Sequence, residues 1–381
     1  MTASFQIKVA PKIHFGMSAS QQLSTILGNK VHHILFLRGR SGIASAAIAD
    51  DLSHSFASLH EAAIPGEPSI DTINRLFAQF KGQPLDAMVA CGGGAVIDAA
   101  KALRFCLVTQ KPLSQKLEHA GADHWNGAND MPLIAIPTTA GTGAEVTANA
   151  VLQTGNAKTS LRGDCLCPST ALVDPRLLSS APQSVVIGAG LDAVVQLMEA
   201  FTSCKATPYS DALVLSHLTA APAALHRVVE NPQDDDWTAM AWASLSSGLA
   251  LTNGGLGAAH GLAAVLGGHL NAPHGLLCGR LFGPVLLKNR ASATVGSQAH
   301  GRTSRCIAIL NDVFSKYGSA HDLEGFEAWL TRHGVPRLSD WGLETADFDA
   351  IALRAVTASS STKNPVPLTQ PDFRAVLEAA Y

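Results

Sequence analysis

His260 and His274 lie in a stretch made almost entirely of small and apolar residues, GGLGAAHGLAAVLGGHLNAPHG, from Gly254 to Gly275. An imidazole in such surroundings needs a hydrogen-bonding partner or a metal ion, because an unpaired buried polar group costs free energy. Pro273 disfavours helical backbone for the residue before it, so the stretch cannot be one unbroken helix. It predicts a helix that carries His260, a glycine-containing turn, and a second helix that begins near His274.

A carboxylate and an amide occupy a second apolar segment, GLDAVVQLMEA. Asp192 and Gln196 lie four residues apart there and share one face if the segment is helical. Together with His260 and His274 they could converge on a divalent metal ion. An isolated histidine is more often a hydrogen-bonded core residue, so a purely structural role for each stays open at this point.

Length and composition narrow the class of protein. A chain of 381 residues exceeds one ordinary core, so two domains are expected. The net charge of -3 without a long basic block argues against nucleic acid or an anionic membrane as a partner.

Seven cysteines without zinc-finger spacing indicate reduced thiols in a cytoplasmic protein. The N-terminus lacks an apolar signal region, and no apolar run of about 18 residues indicates a membrane span.

The first half of the chain alternates between strand-like and helix-like segments, which is typical of a doubly wound α/β domain with ligands at the carboxyl ends of its strands. Small hydroxylated residues and glycines follow the last of these strands, in TTAGTGAEVT. The predicted strands are Val31–Leu37, Leu85–Cys91 and Leu133–Pro137, and the predicted helices are Ile43–His60, Ile70–Phe80 and the segment after Gly94.

A run of three glycines ends the second of these strands and precedes a good helix. Strand, glycine turn and helix can present bare backbone N–H groups to a phosphate, although such turns also serve plain packing. From Pro182 onward strand signals vanish and only helical patterns follow, which predicts a helical domain. The expected fold is therefore an α/β domain over residues 1–180 and an all-α domain over residues 181–381.

Taken jointly, these stretches resemble the iron-containing (group III) alcohol dehydrogenase family. The resemblance is carried by GGGAVIDAAKA, PTTAGTGAEVT, GLDAVVQLMEA and AAHGLAAVLGGHLNAPHG, and it extends to ALVDP and NPVPLT. It implies a Rossmann-like nucleotide domain followed by a helical-bundle metal domain, the arrangement of dehydroquinate synthase. By the family's pattern the nicotinamide cofactor would contact the residues Gly93, Gly94, Asp98, Thr138, Thr139, Thr142, Lys158 and Leu177.

For the catalytic metal, Asp192, His260 and His274 match three ligands of the family. The fourth ligand is usually a histidine, and here Gln196 takes that place. A glutamine oxygen is a weaker neutral ligand, so the resemblance implies Fe(II) or Zn(II) held with reduced affinity, or no metal at all.

A basic loop follows the first predicted strand, where the sequence from Leu37 onward is LRGRS. NAD-preferring members of the family tend to carry an acidic residue there. Here Gly39 and Arg40 form the loop, and Arg38 or Arg40 could accept a 2′-phosphate, which favours NADP over NAD. Two solvated arginines are the structural alternative.

The resemblance thus implies an NAD(P)-dependent alcohol dehydrogenase that moves hydride between the nicotinamide and a small aldehyde or ketone, and a homodimer. Two other enzymes with this architecture stay open. A maleylacetate-reductase-like enzyme needs no metal, which fits Gln196. A dehydroquinate-synthase-like lyase uses NAD only transiently, and the TTAGTGAEVT loop and the PHG motif resemble the dehydrogenases more closely.

Overall fold

A computed structural model describes residues 4–9, 11–40, 42–114, 131–155, 157–319 and 321–381. The chain divides into two compact units. One unit is Val9–Pro182, and the other is Gln183–Tyr381 with the N-terminal residues up to Lys8. The backbone N–H of Lys8 donates to Asn253 Oδ1 at 2.8 Å, which joins the N-terminal segment to the helical unit.

A parallel sheet of six strands forms the centre of the first unit, in the order β1-β8-β5-β4-β2-β3. Its central strands are apolar runs buried on both faces, as expected for a parallel sheet covered by helices. The strands are β1 (Lys12–Phe15), β2 (His33–Gly39), β3 (Ser58–Ile64), β4 (Ala87–Gly92), β5 (Leu133–Pro137) and β8 (Thr170–Val173).

Among the described residues of the first unit, helices and an antiparallel hairpin accompany this sheet. The hairpin strands are β6 (Asn149–Thr154) and β7 (Ala157–Arg162), which pair from Asn149 opposite Arg162 to Thr154 opposite Ala157. The helices are α1 (Leu23–Leu27), α2 (Ala46–Ser55), α3 (Ile70–Phe80) and α4 (Gly94–Thr109). The strand-and-helix alternation predicted from the sequence is confirmed, and α3 and β5 have the predicted bounds.

One predicted helix is wrong at its C-terminal end. The segment Ile43–His60 contains α2, but β3 begins at Ser58 and continues to Ile64. Its letters SLHEAAI favour a helix locally. Each residue of β3 nevertheless pairs with β2, from Ser58 opposite His33 to Ile64 opposite Gly39, and this pairing overrides local propensity.

The second unit is helical throughout its described residues. The long helix α5 is buried over most of its length and packs against α7, α8 and α10. The chain between residues 208 and 230 forms two helices, with a break between Val214 and His217. The helices are α5 (Gln183–Thr202), α6 (Pro208–Val214), α7 (His217–Glu230), α8 (Asp234–Gly254), α9 (Ala258–Leu266), α10 (His274–Ser292), α11 (Gln298–Val313), α12 (Glu324–Arg332), α13 (Phe348–Val356) and α14 (Gln370–Ala380).

Some of these helices are apolar enough for a membrane. Gln183–Thr202 and the segment Pro208–Glu230 pass the test of length and composition for crossing a bilayer, and α8 with α9 could count as a third, bent span. For α5, however, 83% of the most apolar window is buried inside the protein. Protein packing therefore accounts for the hydropathy of α5.

Candidate metal centre and nucleotide turn

Four side chains with metal-binding atoms converge in the helical unit. Asp192 comes from α5, His260 from α9, and His274 and Cys278 from the first turns of α10. One ligand atom from each lies within 4.8 Å of those of the other three. Asp192, His260 and Cys278 are buried, and His274 is partly exposed. The structure thus brings together three residues singled out in the sequence and adds Cys278.

A close approach of two helices places Asp192 beside His274. Pro273 precedes α10, which begins at His274 as predicted. Gly275 follows, and a Cβ atom there would overlap the carbonyl oxygen of Gly188 on α5. The missing side chain lets the start of α10 rest on the backbone of α5.

Glu199 fixes the orientation of His260. Its carboxylate accepts the imidazole Nδ1–H at 2.6 Å and the backbone N–H groups of Gly257 and Ala259 at 3.0 and 2.7 Å. With Nδ1 engaged in this way, Nε2 points at Asp192 Oδ1, 3.1 Å away. Glu199 was not among the residues singled out in the sequence, although it lies seven residues after Asp192 and therefore near the same face of a helix.

The ionisable groups of the cluster shift one another. Burial raises the pKa of Asp192, but the His260 hydrogen bond and the charges of both imidazoles outweigh it, so the pKa lies below its usual value. Burial would lower the pKa of His260, yet the Cys278 charge and the hydrogen bonds to Asp192, Cys278 and Glu199 raise it well above its usual value. The cluster therefore favours negative charge on Asp192 and positive charge on His260.

Cys278 differs from the other buried cysteines. Burial raises the pKa of Cys91, Cys106 and Cys306 to about 12. Burial acts on Cys278 in the same direction, but the charges of His260 and His274 reverse the net effect and lower its pKa. The thiol of Cys278 is thus more acidic than those of the other three buried cysteines, and the thiolate is the form of cysteine that binds metals.

The donor set fits a metal ion in geometry as well. Donor atoms about 2.0–2.3 Å from a tetrahedral ion lie about 3.3–3.8 Å from one another. His260 Nε2 and Asp192 Oδ1 are 3.1 Å apart, and Cys278 Sγ and His274 Nε2 are 3.6 Å apart. The four donor atoms lie within 4.8 Å of one another, so the wider pairs would have to close by up to about 1 Å around a divalent cation.

Gln196 contacts the cluster through its amide nitrogen and not through the oxygen that would bind a metal. Its side chain hydrogen-bonds to the Asp192 carboxylate, which can only accept, so the amide N–H faces Asp192. Its Oε1 accepts from Ser247 Oγ on α8 at 2.8 Å. Metal ligation by the amide oxygen requires the amide to turn over.

The glycine turn and the threonine loop meet in the first unit. Gly93 precedes α4, and Gly94 is its first residue. A Cβ atom on Gly93 would lie 3.2 Å from Thr139 Oγ1, and one on Gly94 would lie 2.7 Å from Thr142 Oγ1. Thr138 joins the two loops through its N–H, which donates to Gly92 O at 3.0 Å. A glycine turn at a helix N-terminus, flanked by hydroxyl groups, has the chemical groups that bind phosphates in other proteins. Its role toward a cofactor stays a prediction.

The turn lies at the switch point of the sheet. β2 is followed along the chain by its neighbour on one side, β3, whereas β4 lies on its other side and is followed by β5. Ligands of doubly wound sheets bind where the strand order reverses in this way. Gly39 ends β2 at that point and Arg40 follows it, exposed. Arg38 instead pairs with Glu61, with Nε 2.9 Å from the carboxylate.

The remaining predicted contacts of the cofactor have structural partners. Asp98 Oδ2 accepts from the backbone N–H of Val151 at 3.0 Å and lies near Lys101. Lys158 Nζ pairs with Glu67 Oε1 at 2.6 Å. Leu177, on the short 3-10 helix Pro175–Ser180, packs partly buried against the core under β2 and β4. Their roles toward a cofactor stay predictions.

Comparison with known proteins identifies the family. The iron-containing alcohol dehydrogenase family matches residues 10–175, and the family's C-terminal domain matches residues 186–381. Long-chain-alcohol dehydrogenase 1 of Geobacillus thermodenitrificans is 31% identical over 323 residues, which cover 83% of this chain and 80% of that protein. The NAD-dependent methanol dehydrogenase of Bacillus methanolicus is 28% identical over 314 residues, which cover 79% and 78%.

Solved structures agree on the fold. A structure of an iron-containing alcohol dehydrogenase from Thermococcus thioreducens superposes with a TM-score of 0.83 at 24% identity and covers 98% of this chain and 99% of that one. The predicted fold class, a parallel-sheet domain followed by a helical domain, is confirmed. So is the predicted enzyme class, an oxidoreductase of the alcohol dehydrogenase type. Two family matches that together span most of the sequence show that the chain belongs to the iron-containing alcohol dehydrogenase family.

Proposed function

We propose that this chain is a metal-dependent, NAD(P)-linked alcohol dehydrogenase whose divalent ion is bound by Asp192, His260 and His274. The proposal rests on the convergence of these three side chains from three helices, whose donor atoms lie within 4.8 Å of one another. Membership of the family supports hydride transfer between an alcohol and its aldehyde or ketone as the reaction.

The chain's own residues bind and orient the reacting groups. When bound, a nicotinamide cofactor would supply the hydride, and a divalent ion held by Asp192, His260 and His274 would polarise the carbonyl oxygen of the substrate. Glu199 keeps His260 Nε2 turned toward the ion site, and Gln196 steadies the Asp192 carboxylate. Gly93 and Gly94 offer backbone N–H groups to the pyrophosphate, and Thr139 and Thr142 close over them.

An assay panel tests the proposal. Small alcohols, aldehydes and ketones are each tried with NAD(H) and NADP(H), in the presence of Fe(II), Zn(II) or a chelator. We expect a net change in the near-ultraviolet absorbance of the reduced nicotinamide that chelation abolishes and metal restores. His274→Ala should lower turnover far more than it weakens NADP(H) binding, whereas equal losses would indicate a purely structural residue.

A metal-independent reductase of the maleylacetate-reductase type is the second candidate. The observation in its favour is Gln196, whose amide oxygen is engaged by Ser247. Activity that survives chelation, with no metal detected in the purified protein, would establish it. A lyase of the dehydroquinate-synthase type would instead turn over with no net absorbance change of the nicotinamide.

For the cofactor we propose NADP rather than NAD, because exposed Arg40 follows the strand end where a 2′-phosphate would lie. We further propose a cytoplasmic homodimer. All seven cysteines are free thiols, which suits a reducing compartment. Sedimentation equilibrium of the purified protein tests the dimer, and a tagged chain followed by cell fractionation tests the compartment.

A further inference from the structure

Cys278 occupies the position of a fourth ligand. It lies four residues after His274 on α10, so both side chains project from the same face of that helix. Its Sγ is 3.6 Å from His274 Nε2, and it also makes a hydrogen-bonding contact with His260. The side chain is fully buried, at 0% exposure. A buried sulfur is therefore directed into the group of donors from α5 and α9.

The amide oxygen of Gln196 points away from the fourth ligand position, which the sulfur of Cys278 can therefore occupy. The amide N–H faces Asp192, and the oxygen accepts from Ser247. Ser247 Oγ also lies 2.8 Å from Ser244 O, and a hydroxyl has a single proton to donate. A turned amide that donates to Ser247 is thus the competing arrangement, in which the Gln196 oxygen would face the ion.

Cys306 is a useful comparison, because it is a buried cysteine of the same unit with different neighbouring side chains. Cys306 is also fully buried, on α11, and its charged neighbours are Arg302 and Arg305. Two cations offer no donor atoms to a metal. The neighbours of Cys278, by contrast, are two imidazoles and the carboxylate of Asp192.

We propose that Cys278 supplies the fourth protein ligand, as a thiolate, to the ion bound by Asp192, His260 and His274. This inference rests on the proposed metal-dependent function. Ligation forms a bond from Cys278 Sγ to the ion and releases the thiol proton to solvent. A soft sulfur ligand favours a thiophilic ion, so the site selects Zn(II) over Fe(II). Gln196 acts as a positioning residue for Asp192.

Cobalt substitution tests the ligand directly. The purified full-length protein is stripped with a chelator and titrated with Co(II), whose thiolate complexes show a charge-transfer band in the near ultraviolet. We expect this band in the parent protein, in Gln196→Ala and in the matched control Cys306→Ala. It should be lost in Cys278→Ser and Cys278→Ala.

Metal affinity gives a second readout. Competition against a chromophoric chelator should show Zn(II) affinity reduced by about a hundredfold or more in both Cys278 variants and unchanged in Cys306→Ala. Fe(II) affinity should fall less. Cys278→Ser keeps the size of the side chain, and circular dichroism of the metal-free variants confirms that both are folded.

Three results would overturn the inference: a parent protein without the band, a band that persists in Cys278→Ala, or Zn(II) affinity that depends on Gln196 and not on Cys278. None of these readouts requires turnover. A thiolate band in a protein that reduces no carbonyl would support the ligand and contradict the proposed function. Metal-dependent reduction without the band would do the reverse.

Discussion

Glu199 Oε2 lies 2.6 Å from His260 Nδ1, and the same carboxylate accepts the N–H groups that open α9. One buried side chain thereby sets both the start of a helix and the direction of an imidazole. Neither task can be changed without the other, because both depend on the same two oxygens. The geometry of the proposed metal site is therefore coupled to the local fold of α9.

Glu199→Gln should weaken metal binding. The amide replaces one of the two accepting oxygens with an NH2 donor, which then faces either the N–H of Ala259 or the N–H groups of Gly257 and His260, so the set of hydrogen bonds that orients His260 is broken. We expect Zn(II) affinity, measured by chelator competition, to fall about 10–100-fold. Glu145→Gln, which alters a buried carboxylate of the other unit, should leave that affinity unchanged. Equal affinities for parent and Glu199→Gln would remove Glu199 from the site.

Gly275→Ala should force α10 away from α5. The new Cβ overlaps the Gly188 carbonyl oxygen and also approaches Asp192 Cβ, and neither backbone can yield without moving a helix. We expect a loss of about 1–3 kcal/mol in the free energy of unfolding, together with weaker metal binding. Urea unfolding and chelator competition measure the two effects.

Gly301→Ala is the matched control for that substitution. Gly301 is also helical, on α11, but it is exposed and a Cβ there meets nothing within 4 Å. Alanine should stabilise α11 by about 0.5–1 kcal/mol, because glycine loses more backbone entropy on folding. A destabilisation as large as that of Gly275→Ala would contradict the steric explanation.

Glu145 should make the first unit less stable at neutral pH than in weak acid. It is 3% exposed, and burial raises its pKa from 4.5 to about 7, although its own backbone N–H and Lys101 act in the opposite direction. The folded state holds the proton more tightly than the unfolded state, so this contribution is complete below the unfolded pKa of 4.5 and is lost as the pH rises to about 7. The loss amounts to roughly 3 kcal/mol.

Glu145→Gln stays neutral and should lack this pH dependence. The stability of the variant relative to the parent should therefore rise between weak acid and neutral pH. Urea unfolding at a series of pH values, followed by a signal from the first unit, provides the comparison. Parallel curves for the two proteins would show that Glu145 does not titrate in this range.

Arg40→Ala should discriminate between the two nicotinamide cofactors. One charge-assisted hydrogen bond to a 2′-phosphate contributes enough that KM for NADPH should rise roughly tenfold, while KM for NADH should barely change. Arg38→Ala is the comparison, because the Arg38 guanidinium is already paired with Glu61. Equal effects of Arg40→Ala on both cofactors would leave the arginine as an ordinary solvated residue.

Local signals in the sequence were sufficient for some elements. Ile70–Phe80 places apolar residues on one face and has Ser69 as its N-cap, and Leu133–Pro137 is an uninterrupted apolar run, so both have the predicted bounds. Pro273 correctly marked the start of α10. Such elements follow from residues close to one another in the chain.

Features that depend on distant partners could not be predicted in this way. β3 is a strand because β2 lies beside it, although its own letters favour a helix. The spacing of Glu199 from Asp192 indicates a shared helix face, but the hydrogen bonds of Glu199 to Ala259 and His260 depend on how α9 packs against α5. Cys278, however, could have been found, since its spacing from His274 equals the spacing that drew attention to Gln196 after Asp192.

Gly275 and Gly188 have no side chains and contact each other through the main chain. This contact sets the distance between α10, which carries His274, and α5, which carries Asp192. Rotamer changes in the surrounding core have little influence on that separation. The ion preference of this protein can therefore be redesigned by exchanging the donor atom at position 278, while the contact between the two helices keeps the other ligands in place.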